Sequence, residues 1–313
     1  MPETSNTEPL GAEPASPIRV SVVIPTTGHR SLERAISSAL AQQGVEIEVV
    51  VVNNGRGELG PVPDDARVRV ISSDPALAGN GARSRGIAES THPLVALLDD
   101  DDYWQADKLI RQYRHVLASG IPADRITESK WVVSCAVVEH SPTRPDRIVP
   151  KEDPASLRDV SEYLARRPKL KSIGQQFQSS TLLFPRALGV ELPFDPNARV
   201  HQDWGWVIAA QRLGATILCL YEPLSHRVMG SPGAITTSIK WRESLDWGNR
   251  NLAASSRRAR GDFALTIAAD RAFAARDLSG WMTCGLTGVR RGTPGVSAWI
   301  FYLSLLIRPN RKV

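Results

Sequence analysis

The first apolar run, Val20–Ile24, is β-branched and closed by Pro25, which predicts a buried strand. After it, Leu32, Ala35, Ile36, Ala39 and Leu40 recur at helical spacing, with Ser31 placed to cap the helix and Gly44 to stop it. Ile47–Val52 is a second strand ending at Asn53-Asn54-Gly55, and Val68–Ile71 a third. Asn80 is placed to cap a short helix near Gly81–Glu89. Leu94–Leu98 is a fourth strand that runs straight into Asp99-Asp100-Asp101-Asp102. A helix follows over 106–118, with Leu109, Ile110, Tyr113, Val116 and Leu117 on one face. Strand and helix in alternation imply a largely parallel sheet, covered on both faces and joined by right-handed crossovers. Such sheets bind ligands beyond the carboxyl ends of their strands. Pro25–Thr27, Asn53-Asn54 and Asp99–Asp102 all fall there.

The second half is less regular. Strands are expected over 131–139, 180–184 and 216–220, and a helix over 203–213. Residues 238–258 and 262–279 suggest two helices rich in Ala and Arg. Residues 141–154, with four prolines, are expected to be an irregular exposed loop. Val296–Ile307 is apolar on nearly all sides but only twelve residues long, short of the ~20 that span a membrane. A buried helix, a dimer contact and an interfacial membrane segment all remain open for it.

Composition narrows the class. With 313 residues, 42% hydrophobic and 23% charged, the chain is neither collagenous, coiled-coil nor wholly disordered. That length fits one large α/β domain with an appendage. Cys135, Cys219 and Cys284 are too few and too far apart for a disulfide framework or zinc site, which favours a reducing compartment. Residues 1–17 carry Glu3, Glu8 and Glu13 and no Lys or Arg. They are expected to be a disordered tail without the positive start and apolar core of a secretory leader. Residues 240–313 carry thirteen Lys/Arg against five Asp/Glu, while the body between is near neutral. A charge confined to one end argues against a duplex-DNA reader, so no nucleic-acid partner is expected. It suits an anionic membrane surface, an acidic partner or simply solubility. The expected location is cytoplasmic, with peripheral contact at the inner membrane face through 290–313.

Four consecutive aspartates at a strand end repel one another unless a cation neutralises them. A hard divalent ion, Mg²⁺ or Mn²⁺, takes one or two carboxylates plus substrate phosphates. The alternative is a turn and helix start, where acids suit the dipole.

With these elements in place, the sequence resembles family 2 glycosyltransferases, inverting enzymes of the GT-A fold. The matching stretches are Ser21-Val22-Val23-Ile24-Pro25-Thr26, Val50-Val51-Val52-Asn53-Asn54-Gly55, Gly79-Asn80-Gly81-Ala82-Arg83-Ser84-Arg85-Gly86-Ile87 and Leu97-Leu98-Asp99-Asp100-Asp101-Asp102-Tyr103-Trp104. Each is weak alone; four in order are specific. Gln202-Asp203-Trp204 and Arg212-Leu213-Gly214 extend the match to about residue 230. The resemblance implies an α/β, GT-A type fold: a mostly parallel Rossmann-like central sheet, helices on both faces and a helical C-terminal extension. It divides the chain into a tail (1–17), a nucleotide-sugar-binding half (18–125), an acceptor-binding and catalytic half (126–237) and a basic helical extension (238–313).

The implied roles follow residue by residue. Pro25, Thr26 and Asn53 would hold the nucleoside of a nucleoside-diphosphate sugar, with UDP the default. Asn53 stands where the family usually has Asp, which leaves thymidine or guanosine open, and a plain turn is the alternative for it. Arg83 would face the diphosphate, against the alternative of a surface helix arginine. Asp99, with Asp100, would meet the ribose or sugar. Asp101 would be the principal metal ligand, joined by Asp99, with His226 a further candidate against the alternative of a structural histidine. Asp203 would be the catalytic base; the alternative is an N-cap aspartate. Gln202 replaces the family's first acid, and with Trp204 it is a candidate acceptor contact. Acceptor pockets are expected around Gln178–Thr181 and 195–203, for a glycan, lipid-linked sugar or small molecule. The implied activity is metal-dependent, inverting sugar transfer to an acceptor hydroxyl in polysaccharide, glycolipid or glycoconjugate synthesis. Two other classes stay open: a catalytically degenerate nucleotide-sugar-binding protein, made conceivable by Gln202 and Asn53 but opposed by Asp99, Asp101 and Asp203, and a sugar nucleotidyltransferase, disfavoured by the poor Gly-rich loop at Thr26–Arg30.

Overall fold

A computed structural model describes residues 17–57, 59–151, 157–170, 177–230 and 240–307; the expected N-terminal tail lies almost wholly outside them. The first half alternates as its pattern requires: β1 (Arg19–Thr26), α1 (Leu32–Leu40), β2 (Glu46–Asn53), β3 (Val68–Ser72), α2 (Ala78–Glu89), β4 (Leu94–Leu97), β5 (Tyr103–Trp104) and α3 (Lys108–Ala118). The second half holds β6 (Trp131–Ser141), β7 (Arg144–Val149), α4 (Val160–Ala165), β8 (Leu183–Pro185), α5 (Arg186–Glu191), α6 (Gln202–Arg212) and β9 (Thr216–Val228). Helices α7 (Trp241–Asn251), α8 (Arg257–Phe263), α9 (Ala269–Ala274), α10 (Leu278–Arg291) and α11 (Val296–Ser304) complete the described chain.

One sheet runs in the order β3-β2-β1-β4-β8-β6-β9-β5, with β7 beside β6. Strands β3, β2, β1 and β4 are mutually parallel. β8 then enters antiparallel to both β4 and β6, so the whole sheet is mixed. The apolar runs are continuous because both faces are covered. Along β1, Val22 and Ile24 face one core, with Leu32, Ile36 and Leu109 of α1 and α3. Val23 faces the other, with Ala82 and Ile87 of α2, Trp206 of α6 and the C-terminal helices. At Gly86 a Cβ would run into Val23 and stand 2.9 Å from Val52, so α2 lies flat on the sheet only because that position has no side chain.

Three expectations change. Asn80 is inside α2, not its cap, because its amide donates instead to the carbonyls of Asp195 (2.7 Å) and Ala198 (3.3 Å). Much of the expected loop 141–154 is strand β7, paired antiparallel with β6; residues 152–154 lie outside the described residues. Helix α10, absent from the sequence reading, has glycines at its inward positions and apolar residues on its outer side. Among the described residues no helix is long and apolar enough to cross a membrane.

Candidate active site

The parallel pairing brings three strand ends to one rim. Asn53 closes β2 beside Thr26 of β1, and the Leu98 amide donates to the Val23 carbonyl (3.1 Å), carrying the aspartate run out next to them. Each aspartate there has its own environment. Asp100 accepts a hydrogen bond of 2.5 Å from Thr26 Oγ1, which itself takes the amides of Gly28 (3.0 Å) and His29 (3.4 Å). Burial pushes the Asp100 carboxyl up, the Thr26 bond pulls it down, and Asp99 and Asp101 push it up again. Asp102 points inward: it is 1% exposed, and its Oδ2 takes Gln178 Nε2 (2.8 Å) and Ser180 Oγ (2.6 Å). Burial, then the charges of Asp99 and Asp101, hold it well above the usual carboxylate range. Asp101 sits half-buried at the rim, and its carbonyl takes Arg34 Nη2 (2.8 Å).

Asp99 is turned the other way, toward α2. Its Oδ1 accepts Arg83 Nη2 at 2.6 Å, and its amide donates to Ser180 Oγ (3.0 Å). Arg83 is only 7% exposed and turns toward Asp99 rather than toward solvent. Burial alone would weaken its charge; Asp99 first, then Asp203, outweigh that and raise its pKa. Its other amine reaches Gln202 Oε1 at 3.4 Å. The guanidinium therefore joins α2, the aspartate run and the start of α6. Nε of Arg83 and Oδ1 of Asp102 are buried with no partner among the described residues.

Asp203 stands in the first turn of α6, whose N-cap is His201 in the left-handed conformation (φ +52°), so Asp203 is not itself the cap. Ser179 Oγ donates to its Oδ1 at 2.5 Å. Burial raises the Asp203 pKa, Arg83 draws it down, and Asp99 raises it. His201 is fixed by Ser244 of α7 (2.7 Å) and by the rings of Trp204, Trp247 and Phe263.

The remaining candidates are dispersed. Asn53 spends its side chain on a local turn, accepting the Gly55 amide (2.9 Å) and donating to the Gly57 carbonyl (3.2 Å). His226 stacks on Tyr103 (4.5 Å); its Nδ1 meets His140 Nε2 (2.9 Å) and its Nε2 meets Gln105 (2.8 Å). Beside this stack opens a cavity of about 490 Å³ lined by residues including His29, Arg30, His140 and Asp146. Among the described residues no group of three or more His, Cys, Asp or Glu side chains is arranged to hold a metal alone. Sequence reasoning missed Ser179 and Ser180 as the residues that orient the acids. No periodic signal marks them, since they sit in a single 3₁₀ turn.

Residues 21–122 match the family model of glycosyl transferase family 2. The chain is 32% identical over 213 residues to the succinoglycan biosynthesis protein ExoO of Rhizobium meliloti (strain 1021), covering 62% of this chain and 55% of that protein. It is 25% identical over 218 residues to the amylovoran biosynthesis glycosyltransferase AmsB of Erwinia amylovora, covering 67% and 69%. The chain thus spans about half the length of the first of these relatives. In fold it is similar to the mannosyltransferase PcManGT from Pyrobaculum calidifontis in complex with GDP-Man and Mn²⁺, with TM-score 0.55, 14% identity, and coverage of 96% of this chain and 83% of that one. Residues 21–122, which carry the aspartate run at the sheet rim, match glycosyl transferase family 2, and the fold is of the GT-A type.

Proposed function

We propose that this chain is a metal-dependent, inverting glycosyltransferase of polysaccharide or glycoconjugate synthesis, moving a sugar from a nucleoside diphosphate to an acceptor hydroxyl. One observation carries the reading. Carboxylates from two separate motifs, Asp99 and Asp203, act on one buried guanidinium, Arg83, at the carboxyl end of a parallel sheet. A buried positive charge suits a diphosphate, and a raised-pKa carboxylate next to it suits a general base.

The donor is a nucleoside-diphosphate sugar with uridine the default base; the GDP-Man held by PcManGT keeps guanosine in the panel. Thr26 and Asn53 line the nucleoside end, and Asp100, held by Thr26, lies toward the ribose. Asp101 and Asp99 would hold Mg²⁺ or Mn²⁺, which when bound neutralises the diphosphate as it leaves. Asp203 takes the acceptor proton: the hydroxyl O–H bond breaks as oxygen bonds the anomeric carbon, and the electron pair of the glycosidic bond departs on the diphosphate. Attack opposite the leaving group inverts the configuration. Ser179 orients Asp203, and Gln202 positions Arg83 without titrating. The acceptor is a glycan or lipid-linked sugar met near Trp204, which suits a cytoplasmic, membrane-side location.

The test is donor turnover by the full chain across UDP-, GDP- and dTDP-sugars, with Mn²⁺ and with EDTA. Turnover of one donor, abolished by EDTA and restored by Mn²⁺, is expected. Tight donor binding without any turnover in the presence of acceptor extracts makes the chain a binding protein instead.

A further inference from the structure

The outer sides of the last two helices form a large apolar surface. On α10, Leu278, Met282, Leu286 and Val289 recur every three or four residues and are 57, 58, 50 and 50% exposed. The inward positions of the same helix, Gly280, Cys284, Gly285 and Gly288, carry its packing. Val296, Ile300, Leu303 and Ile307 repeat the pattern on α11 and the turn after it, 74, 46, 54 and 84% exposed. The helices are neighbours: Tyr302 stacks on Trp281 (4.2 Å) and donates to its carbonyl.

Charge decides what covers this surface. Residues 278–313 contain no Asp or Glu, but hold Arg290, Arg291, Arg308, Arg311 and Lys312. Arg290 and Arg291 are exposed at the end of α10. Ordinary soluble surfaces intersperse both signs and keep apolar patches small. A second copy of the chain docked through the same face would set these cations against one another. Apart from Asp277, which caps the far end of α10 and pairs with Arg242, the charges along this stripe are cations. That fits a bilayer, where the stripe enters the headgroup boundary and the cations meet anionic lipid.

We propose that the outer face of α10 and α11 docks the protein on the surface of an anionic lipid bilayer, lying on it without spanning it. The surface deepens the membrane-side location read above and rests on that reading only for its biological sense, because its test measures lipid binding and not transfer. Full-length protein is sedimented with vesicles of phosphatidylcholine alone or with phosphatidylglycerol added. Binding is expected only to the anionic vesicles, and it should fall with added salt. Arg290→Gln and Arg291→Gln should each weaken it about fivefold. Met282→Ser with Leu286→Ser should abolish it while leaving the melting curve and donor turnover unchanged, since both side chains face outward. The proposal is overturned if the wild type stays in the supernatant, or if the serine variant binds as well as the wild type. It is also overturned if light scattering shows a dimer that the serine variant dissociates while neither protein binds lipid. In each case the transferase reading stands or falls on its own assay.

Discussion

The parallel-sheet half and the C-terminal helices both bury apolar side chains, yet their cores are built on different rules. In the first, apolar runs such as Val49–Val52 bury every residue, and any β-branched side chain of similar volume would serve. In the second, single glycines meet single large side chains. A Cβ on Gly248 would stand 2.5 Å from Phe263, and one on Gly280 2.5 Å from Trp241; those on Gly285 and Gly288 would overlap Tyr302 and Leu265. The first core rests mainly on pattern, with Gly86 against Val23 its close approach, and the second on many such approaches. Yet the second also bears on the chemistry, because Ser244, Trp247 and Phe263 fix His201, the residue that starts the helix carrying Asp203.

The largest effect expected falls on the proposed chemistry that both regions hold in place. Asp203→Asn keeps the size and much of the hydrogen bonding but cannot accept a proton, so kcat should fall on the order of 10²–10⁴. Donor affinity, measured by calorimetry, should stay within about twofold, because Arg83 and the aspartate run are untouched. A wild-type rate in this variant would remove Asp203 from the base role and leave the comparison without its chemical half.

Next come the close approaches. Gly280→Ala should cost about 1–3 kcal/mol, because Trp241 is packed and cannot swing aside. Gly57→Ala, with nothing within 4 Å of its Cβ, should change stability by less than about 0.5 kcal/mol. Denaturant melts of the two variants read the difference directly. Equal melts would mean that the C-terminal core is as tolerant as the sheet.

The same contrast explains what was legible. The first four strands and α1 to α3 emerge from periodicity because many residues vote for each element, and errors at Asn80 or Ser31 move only an end. Ser31 does sit at the start of α1 but makes no side-chain cap. Asp99 was legible because strand ends of a parallel sheet are where ligands go, and Arg83 and Asp203 because they fall in stretches that resemble the family's motifs. Ser179 and Ser180 were not, since a short turn carries no period and their partners lie 24 and 78 residues away in sequence. Nor was α10: its glycines lower helix propensity, and their value appears only against Trp241, Tyr302 and Leu265.

A smaller effect ties the two regions together. Burial, then the charge of Arg271, depresses the His201 pKa to about 3 from 6.5. The folded protein therefore holds this ring neutral while the unfolded chain protonates it below about 6.5. Its contribution to stability is complete above that pH and is lost as pH falls toward about 3, at up to about 1.4 kcal/mol per unit. His201→Asn suits the left-handed conformation and does not titrate. Its stability, by urea melts at pH 7, 6 and 5, should decline less steeply than that of the wild type. Parallel declines would mean that the aromatic clamp on α6 is open to water.

The smallest shift expected is the most specific. Burial raises the Asp203 pKa and Arg83 is the main influence pulling it back, so removing that charge should raise it further. Because the base acts ionised, the acidic limb of kcat/KM should move to higher pH in Arg83→Gln. Arg83→Lys, which keeps the charge but not the planar fork, should restore the limb while leaving the donor KM raised, since a lysine cannot reach Asp99 and Gln202 together. A merely structural role for Arg83 would lower the rate at every pH and leave the limb in place. That result would separate Asp203 from the guanidinium and, with it, the base from the leaving group.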